Sequence, residues 1–232
     1  MFRNQSGTRS LLVSRDGALG HQFTFLFSVV LHHRFEWRDS PAALPAEQGG
    51  ALDLVFVHLP DDCDEGLAVL DHFKAFTRKP KLIVIRSPEN SFGLSAFLGG
   101  ADDVVEWPCP MHELAWRVSV RLGQCIESSG DLAESLNWDT EAYIVDRAGL
   151  TIAEAQILRI LFSSQGKIVS RNDLSEAIDQ RPWSYGDRKF DVHVAKIRKK
   201  IEAAFGPRLS VTTVRSSGYI LSTEPSLMSS EH

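Results

Sequence analysis

Asp187 to Leu221 reads DRKFDVHVAKIRKKIEAAFGPRLSVTTVRSSGYIL. Laid on a helix of 3.6 residues per turn, Phe190, Val194, Ile197 and Ile201 share one face. The opposite arc carries Lys189, His193, Lys196, Lys199 and Lys200, with Val192 among them. Such a helix sits on a core and turns cations outward. From Gly186 to Gly218 there are eight Lys and Arg against three acids, a local +5 in a chain whose formal charge is −5. A positive stripe on an acidic chain is the footprint of a polyanion partner. A solvated basic face would look the same on charge alone, so the segment after the helix decides. Leu209 to Arg215 is β-rich, Ser216-Ser217-Gly218 signals a turn, and Tyr219-Ile220-Leu221 is a second short strand. A helix leading at once into a hairpin tipped with Arg215 predicts a winged helix. Its helix enters the major groove, and its hairpin touches the backbone or minor groove nearby.

A length of 232 residues suits two domains, and a hydrophobic fraction of 43% is enough for two cores. The net charge argues against general adhesion to nucleic acid or membranes, so DNA contact must be local. Cys63, Cys109 and Cys125 form no CxxC and no metal-ligand spacing, and their odd number fits a reducing cytoplasm rather than a disulfide framework. No cofactor is expected. The most apolar run, Phe23 to Leu31, is too short to span a bilayer, and no signal peptide is read.

The first half alternates strand and helix. Ser10–Val13 reads as a strand, Ala18–Phe35 as a buried helix, Leu52–Leu59 as a central strand, and Gly66–Phe76 as a helix. Leu82–Ile85 is a strand, Ser91–Leu98 a short helix, Val104-Val105 a strand, and His112–Ile126 an amphipathic helix. This alternation predicts a doubly wound α/β domain over 1–123. Residues 124–133 contain the polar break Ser128-Ser129-Gly130-Asp131 and read as the linker. Residues 134–226 form the winged-helix domain and 227–232 a disordered tail. Leu136–Val145 alternates loosely and predicts short antiparallel strands. Thr151 with Glu154, and Ser170 with Asp173, are helix-start signals.

The second half resembles the OmpR/PhoB-type response regulators in four stretches that fall in order. They are Leu150-Thr151 with Glu154, Gly166 with Ser170-Arg171, the run Asp187-Arg188 to Lys200, and Thr213-Val214-Arg215 with Gly218-Tyr219. In the first half, Leu59-Pro60, Gly66, Gly100-Ala101-Asp102-Asp103 and Pro108 resemble the family's receiver domain. The resemblance implies that Arg188, His193, Lys196 and Arg198 contact DNA from the helix, and Thr213, Arg215 and Tyr219 from the wing or its base. The placement of the charges adds Arg171, with the amides at its helix start, as a phosphate holder. It also sends Lys196, with Lys199 or His193, to base edges, Val192 to a thymine methyl, and Arg198 to phosphate. In the family, the loop before the recognition helix, here Ile178–Gly186, faces partners that include RNA polymerase.

The receiver's chemistry is not carried over. His58 stands where the family has its phosphoacceptor aspartate, Ser14-Arg15-Asp16 where it has Mg²⁺-binding acids, and Trp107 where it has lysine; Ser87 keeps the small hydroxyl. We therefore expect a pseudo-receiver that dimerises through a face bearing Asp103, Glu113, Arg117 and Arg121. The expected function is a homodimeric, sequence-specific regulator independent of aspartate phosphorylation, and not an enzyme. Two alternatives keep the first domain as a signal receiver. One is a phosphorelay through His58 or a neighbouring carboxylate, and the other a small-molecule sensor.

Overall fold

The computed structural model describes residues 7–40, 44–45, 51–58, 63–89, 93–124 and 137–224. Leu59-Pro60, Ser91, Cys125, the linker apart from Gln124, and the 227–232 tail lie outside them. The chain divides into two compact units, Met1–Asp139 and Thr140–His232.

The first unit is built on five strands: β1 (Arg9–Ser14), β2 (Arg34–Arg38), β3 (Leu54–His58), β4 (Lys81–Arg86) and β5 (Asp103–Glu106). All pair in parallel, in the order β2-β1-β3-β4-β5. Every residue of β3 is buried, which requires cover on both faces of the sheet. Leu11, Val13, Val55, Val57, Leu82 and Val84 pack with Val69, Leu70 and Phe73 of α2 (Cys63–Lys74) and Ala96 of α3 (Gly93–Leu98). On the other face, Phe56 meets Phe23 and Phe27, with ring centroids 5.0 and 4.8 Å away. Phe23 belongs to α1 (Gly17–Thr24), and Phe27 to the π-helical turn Phe25–Val30 that continues it. α4 (Met111–Arg121) completes the layer and stops where Gly123 turns left-handed.

The expected helix Ala18–Phe35 therefore ends early. His32 takes a left-handed conformation (φ 55°), and the chain turns into β2. In β2, Phe35 and Trp37 are half-buried, whereas Arg34, Glu36 and Arg38 are exposed. That period of two was legible, but the apolar run before it masked it. The charges also guard an edge strand against further pairing.

The winged-helix half corrects another expectation. Residues 138–147 form a helix, α5 (Trp138–Arg147), not strands. Its buried residues, Trp138, Glu141, Ala142 and Ile144, follow helical rather than alternating spacing. α6 (Ile152–Ser163) and α7 (Arg171–Asp179) start as the sequence signals imply, each on a complete capping box: Thr151 with Glu154, and Ser170 with Asp173. α8 (Lys189–Phe205) buries Phe190, Val194, Ile197, Ile201 and Phe205 in one core with Ile157, Leu158 and Leu161 of α6. Burying each such side chain contributes roughly 1.5–3 kcal/mol. A single 3₁₀ turn, Gly206–Arg208, leads into the antiparallel hairpin β6 (Leu209–Val214) and β7 (Gly218–Thr223).

Candidate nucleic-acid interface

At 3.6 residues per turn, Arg188 at the N-cap of α8 and Lys199, Val192 and Lys196 within it fall in about 80° of arc. All four are exposed. Arg215 is exposed in the hairpin turn beside Ser216 and Ser217. Among the described residues, the side chains of Arg188, Lys196, Lys199 and Arg215 make no hydrogen bond or ion pair.

The other two lysines of the basic arc, and Arg198 on the far flank, are tied to the fold. On one flank, Lys189 pairs with Asp179 at 2.5 Å. Next to it, Lys200 Nζ donates to Glu154 Oε2 at 2.7 Å and to the Gly149 carbonyl at 2.8 Å. His193 is half-buried on this side, its Nδ1 without a hydrogen-bond partner among the described residues. On the opposite flank, Arg198 Nε donates to the Val211 carbonyl at 2.8 Å, and its Nη2 to Thr213 Oγ1 at 2.9 Å. Arg198 is thus a tie between α8 and β6, where sequence reading made it a free phosphate contact. Thr213 is exposed and is the acceptor in that tie.

Two further expectations change. Tyr219 is 1% exposed, so its ring offers no surface to a duplex. Its hydroxyl donates to Asp191 Oδ1 at 2.5 Å, and both burial and that bond push its ionisation upward. Arg171 is not a free cation either. Its Nη2 donates to Asp191 Oδ1 at 2.6 Å and its Nε at 3.2 Å, while its guanidinium lies 5.0 Å from the Tyr219 ring centroid. Bonding to Arg171, then to Tyr219, holds the Asp191 carboxyl below its ordinary range against partial burial.

The hairpin turn is set by backbone sterics. Ser217 N–H donates to the Val214 carbonyl at 3.0 Å, and Ser216 takes φ 63°. Serine thus adopts the left-handed shape for which glycine is preferred, and the tip keeps its form at some strain. Gly218 has no substitute. A Cβ there would lie 2.0 Å from the Val169 carbonyl oxygen, because β7 closes against Val169 through a paired bridge to Tyr219.

In the first unit, the topology brings Ser14–Asp16, His58, Ser87 and Trp107 to the carboxyl ends of adjacent strands. His58 is buried and its Nδ1 shares a hydrogen bond of 2.9 Å with Ser14 Oγ, which also accepts the Asp16 amide at 3.0 Å. Asp16 is the N-cap of α1, its Oδ1 accepting from Ala18 and Leu19. Arg15 pairs with Glu65 at 2.7 Å, and Trp107 packs edge-on to Phe23 at 5.4 Å. No cluster of three His, Cys, Asp or Glu is arranged to hold a metal among the described residues.

The four residues read as a dimer face are brought together within one chain. Asp103 is buried, with Arg121 at 3.2 Å and Arg117 at 3.7 Å; Arg117 also pairs with Glu113 at 2.8 Å. Sequence reading missed the apolar residues on the neighbouring helices: Leu94, Phe97 and Leu98 of α3, and Val120 of α4, all exposed. It also missed Tyr185, which is 96% exposed in the loop between α7 and α8, while Trp183 donates Nε1–H to the Asp187 carbonyl and packs on the core. Among the described residues, no helix is long and apolar enough to cross a membrane.

A five-stranded parallel receiver-like domain joined to a winged helix defines the class: a transcriptional regulator with a response-regulator architecture. Residues 146–221 match the family model described as "Transcriptional regulatory protein, C terminal". The chain is 28% identical over 191 residues to the transcriptional activator protein PfeR of Pseudomonas aeruginosa, covering 79% of this chain and 63% of that protein. It is 25% identical over 224 residues to the sensory transduction protein RegX3 of Mycobacterium tuberculosis, covering 92% and 99%. A solved structure, DrrB of Thermotoga maritima, described as an OmpR/PhoB homolog, is 21% identical with a TM-score of 0.42, covering 93% and 99%. In its C-terminal part the chain thus carries the domain of transcriptional regulatory proteins, and along most of its length it is similar to response regulators.

Proposed function

We propose that the chain is a sequence-specific DNA-binding regulator that works as a homodimer without phosphorylation at an aspartate. The observation that carries the reading is the stripe on α8. Of the cations on that helix, those paired with protein groups lie on its flanks, and those left unpaired lie together on the outward arc with Val192. Lys196, with Lys199 or His193, reads base edges, Val192 meets a thymine methyl, and Arg215 reaches the backbone from the wing. Arg188 supplies a further phosphate contact.

The receiver end supports independence from aspartate phosphorylation. His58 is committed to Ser14, Asp16 caps a helix, and an aromatic ring stands where a cation would neutralise a phosphoryl group. For the dimer, a second copy of this chain covers Leu94, Phe97, Leu98 and Val120, rimmed by the Asp103–Arg117–Arg121 network. Two-fold protein symmetry then matches two DNA half-sites. The loop carrying Tyr185 faces RNA polymerase.

Selection of the untreated protein from a pool of random duplexes, with molar mass recorded by light scattering, tests this. The expected result is a dimer that enriches two half-sites about one helical turn apart. A monomer that dimerises and enriches a motif only after phosphoramidate treatment would favour a phosphorelay through His58 and overturn the proposal.

A further inference from the structure

We infer that Asp191 is a positioning residue for DNA recognition, setting where the basic stripe of α8 lies relative to the start of α7 and the wing. The inference rests on the reading that α8 enters a duplex. Asp191 sits on the flank of the helix beside that stripe, and its side chain is 40% exposed. An acid so near phosphates opposes binding by simple charge, so affinity for a polyanion gives it no purpose there.

Its contacts do. The carboxylate accepts from Arg171, the first residue of α7, and from Tyr219, the second residue of β7. Arg171 also lies over the Tyr219 ring, so the groups contact one another in a closed set. The Tyr219 backbone, in turn, exchanges hydrogen bonds with Val169, one residue before the N-cap of α7, at 2.9 Å each way. One carboxylate thus joins the three elements whose relative placement decides whether base and backbone contacts form together. Charge-assisted hydrogen bonds of this kind are short and directional, and suit a register function. The acid's cost in general affinity is offset by a gain in discrimination.

Asp191→Asn and Tyr219→Phe separate this from the alternatives. Each variant is titrated with the selected operator and with random duplex over a salt series. Under a positioning role, Asp191→Asn loses roughly tenfold on the operator. Its random-duplex affinity rises, because one negative charge has gone, and its salt slope steepens by up to about one unit. Tyr219→Phe keeps the charge; it lowers the operator affinity by a smaller factor and leaves random duplex unchanged. Equal gains on both duplexes would make Asp191 a mere surface charge and overturn the inference. Equal losses on both, with lowered helicity, would make it a stability residue only and overturn it too. If Asp191→Asn does not fold, an unchanged specificity ratio in Tyr219→Phe overturns the inference by itself. Failure of the wild-type protein to enrich any motif would instead sink the DNA-binding reading.

Discussion

Lys200 Nζ lies 2.7 Å from Glu154 Oε2, although Lys200 belongs to the basic arc of α8 and Glu154 is almost wholly buried at the start of α6. The same carboxylate accepts the Thr151 amide and closes the capping box. Burial works against ionisation of Glu154, but bonds from Lys200 and Thr151 outweigh it and hold the carboxyl below its ordinary range. Because the folded form holds this proton less tightly than the unfolded chain, the pair stabilises above the unfolded carboxyl range and fades as pH falls through the depressed folded value. Lys200→Met strands a buried carboxylate. The cost, discounted because Lys200 is partly exposed, is about 2–3 kcal/mol. Urea unfolding at neutral pH measures it. DNA affinity of the folded variant should change little, since Lys200 is turned inward.

The free and the tied cations of α8 should behave differently. Lys196→Ala should cost roughly 1–3 kcal/mol at the operator and relax sequence choice at one position, as expected of a base contact. Arg188→Ala should weaken all sequences alike and lower the salt slope by about one unit, as expected of a phosphate contact. Arg198→Ala removes two bonds to β6, so its first effect should be on stability, about 1–2 kcal/mol. Competition titrations with specific and random duplexes, beside urea melts, read all three. A stability loss for Lys196→Ala equal to that of Arg198→Ala would erase the division between outward and flanking cations.

How much of this was legible in the sequence varies with the range of the interactions. Helix faces and caps depend on neighbours within a few residues, and Phe190, Val194, Ile197, Thr151 and Ser170 did what their spacing implied. The parallel sheet was legible from alternation alone, but β2 was not, because the apolar run Phe23 to Leu31 reaches almost to the strand and only His32 and His33 separate them. α5 was misread because Ala142, Tyr143, Ile144 and Val145 can be matched to either period over so short a span. The outward stripe was visible as composition. Which cations were free was not, since Glu154 and Lys200 are 46 residues apart in sequence and Arg171 and Asp191 are 20. One clue existed: Asp191 is an acid set among the cations of a basic helix, and such a residue asks for a partner.

The wing turn gives a test of opposite signs at two nearby residues. Ser216 occupies a left-handed conformation, so Ser216→Gly relieves strain while adding unfolded-chain entropy; the two nearly cancel, and the net change should lie within about 1 kcal/mol of zero. Gly218→Ala brings a methyl to 2.0 Å from a carbonyl oxygen of the Val169 bridge, which must break for the chain to accommodate it. The expected cost is at least about 3 kcal/mol, given the strained backbone and the lost bonds. Thermal melts of the two variants check the contrast.

Acid should loosen the first domain before carboxylates titrate. His33 is buried, shares a 2.7 Å hydrogen bond with Ser10 Oγ, and lies against the Phe27 ring. Burial lowers its pKa from 6.5 to about 4; nearby Asp53 opposes that shift in part and His32 adds to it. The folded state binds this proton more weakly than the unfolded chain, so the contribution is present above pH 6.5, declines as pH falls towards 4, and is lost below both values. The full difference amounts to about 3 kcal/mol. Urea midpoints measured from pH 7 to pH 4 should therefore fall, and His33→Gln should flatten the curve between pH 6.5 and about 5 while retaining a polar partner for Ser10. An unchanged slope in that variant would assign the acid sensitivity to other groups.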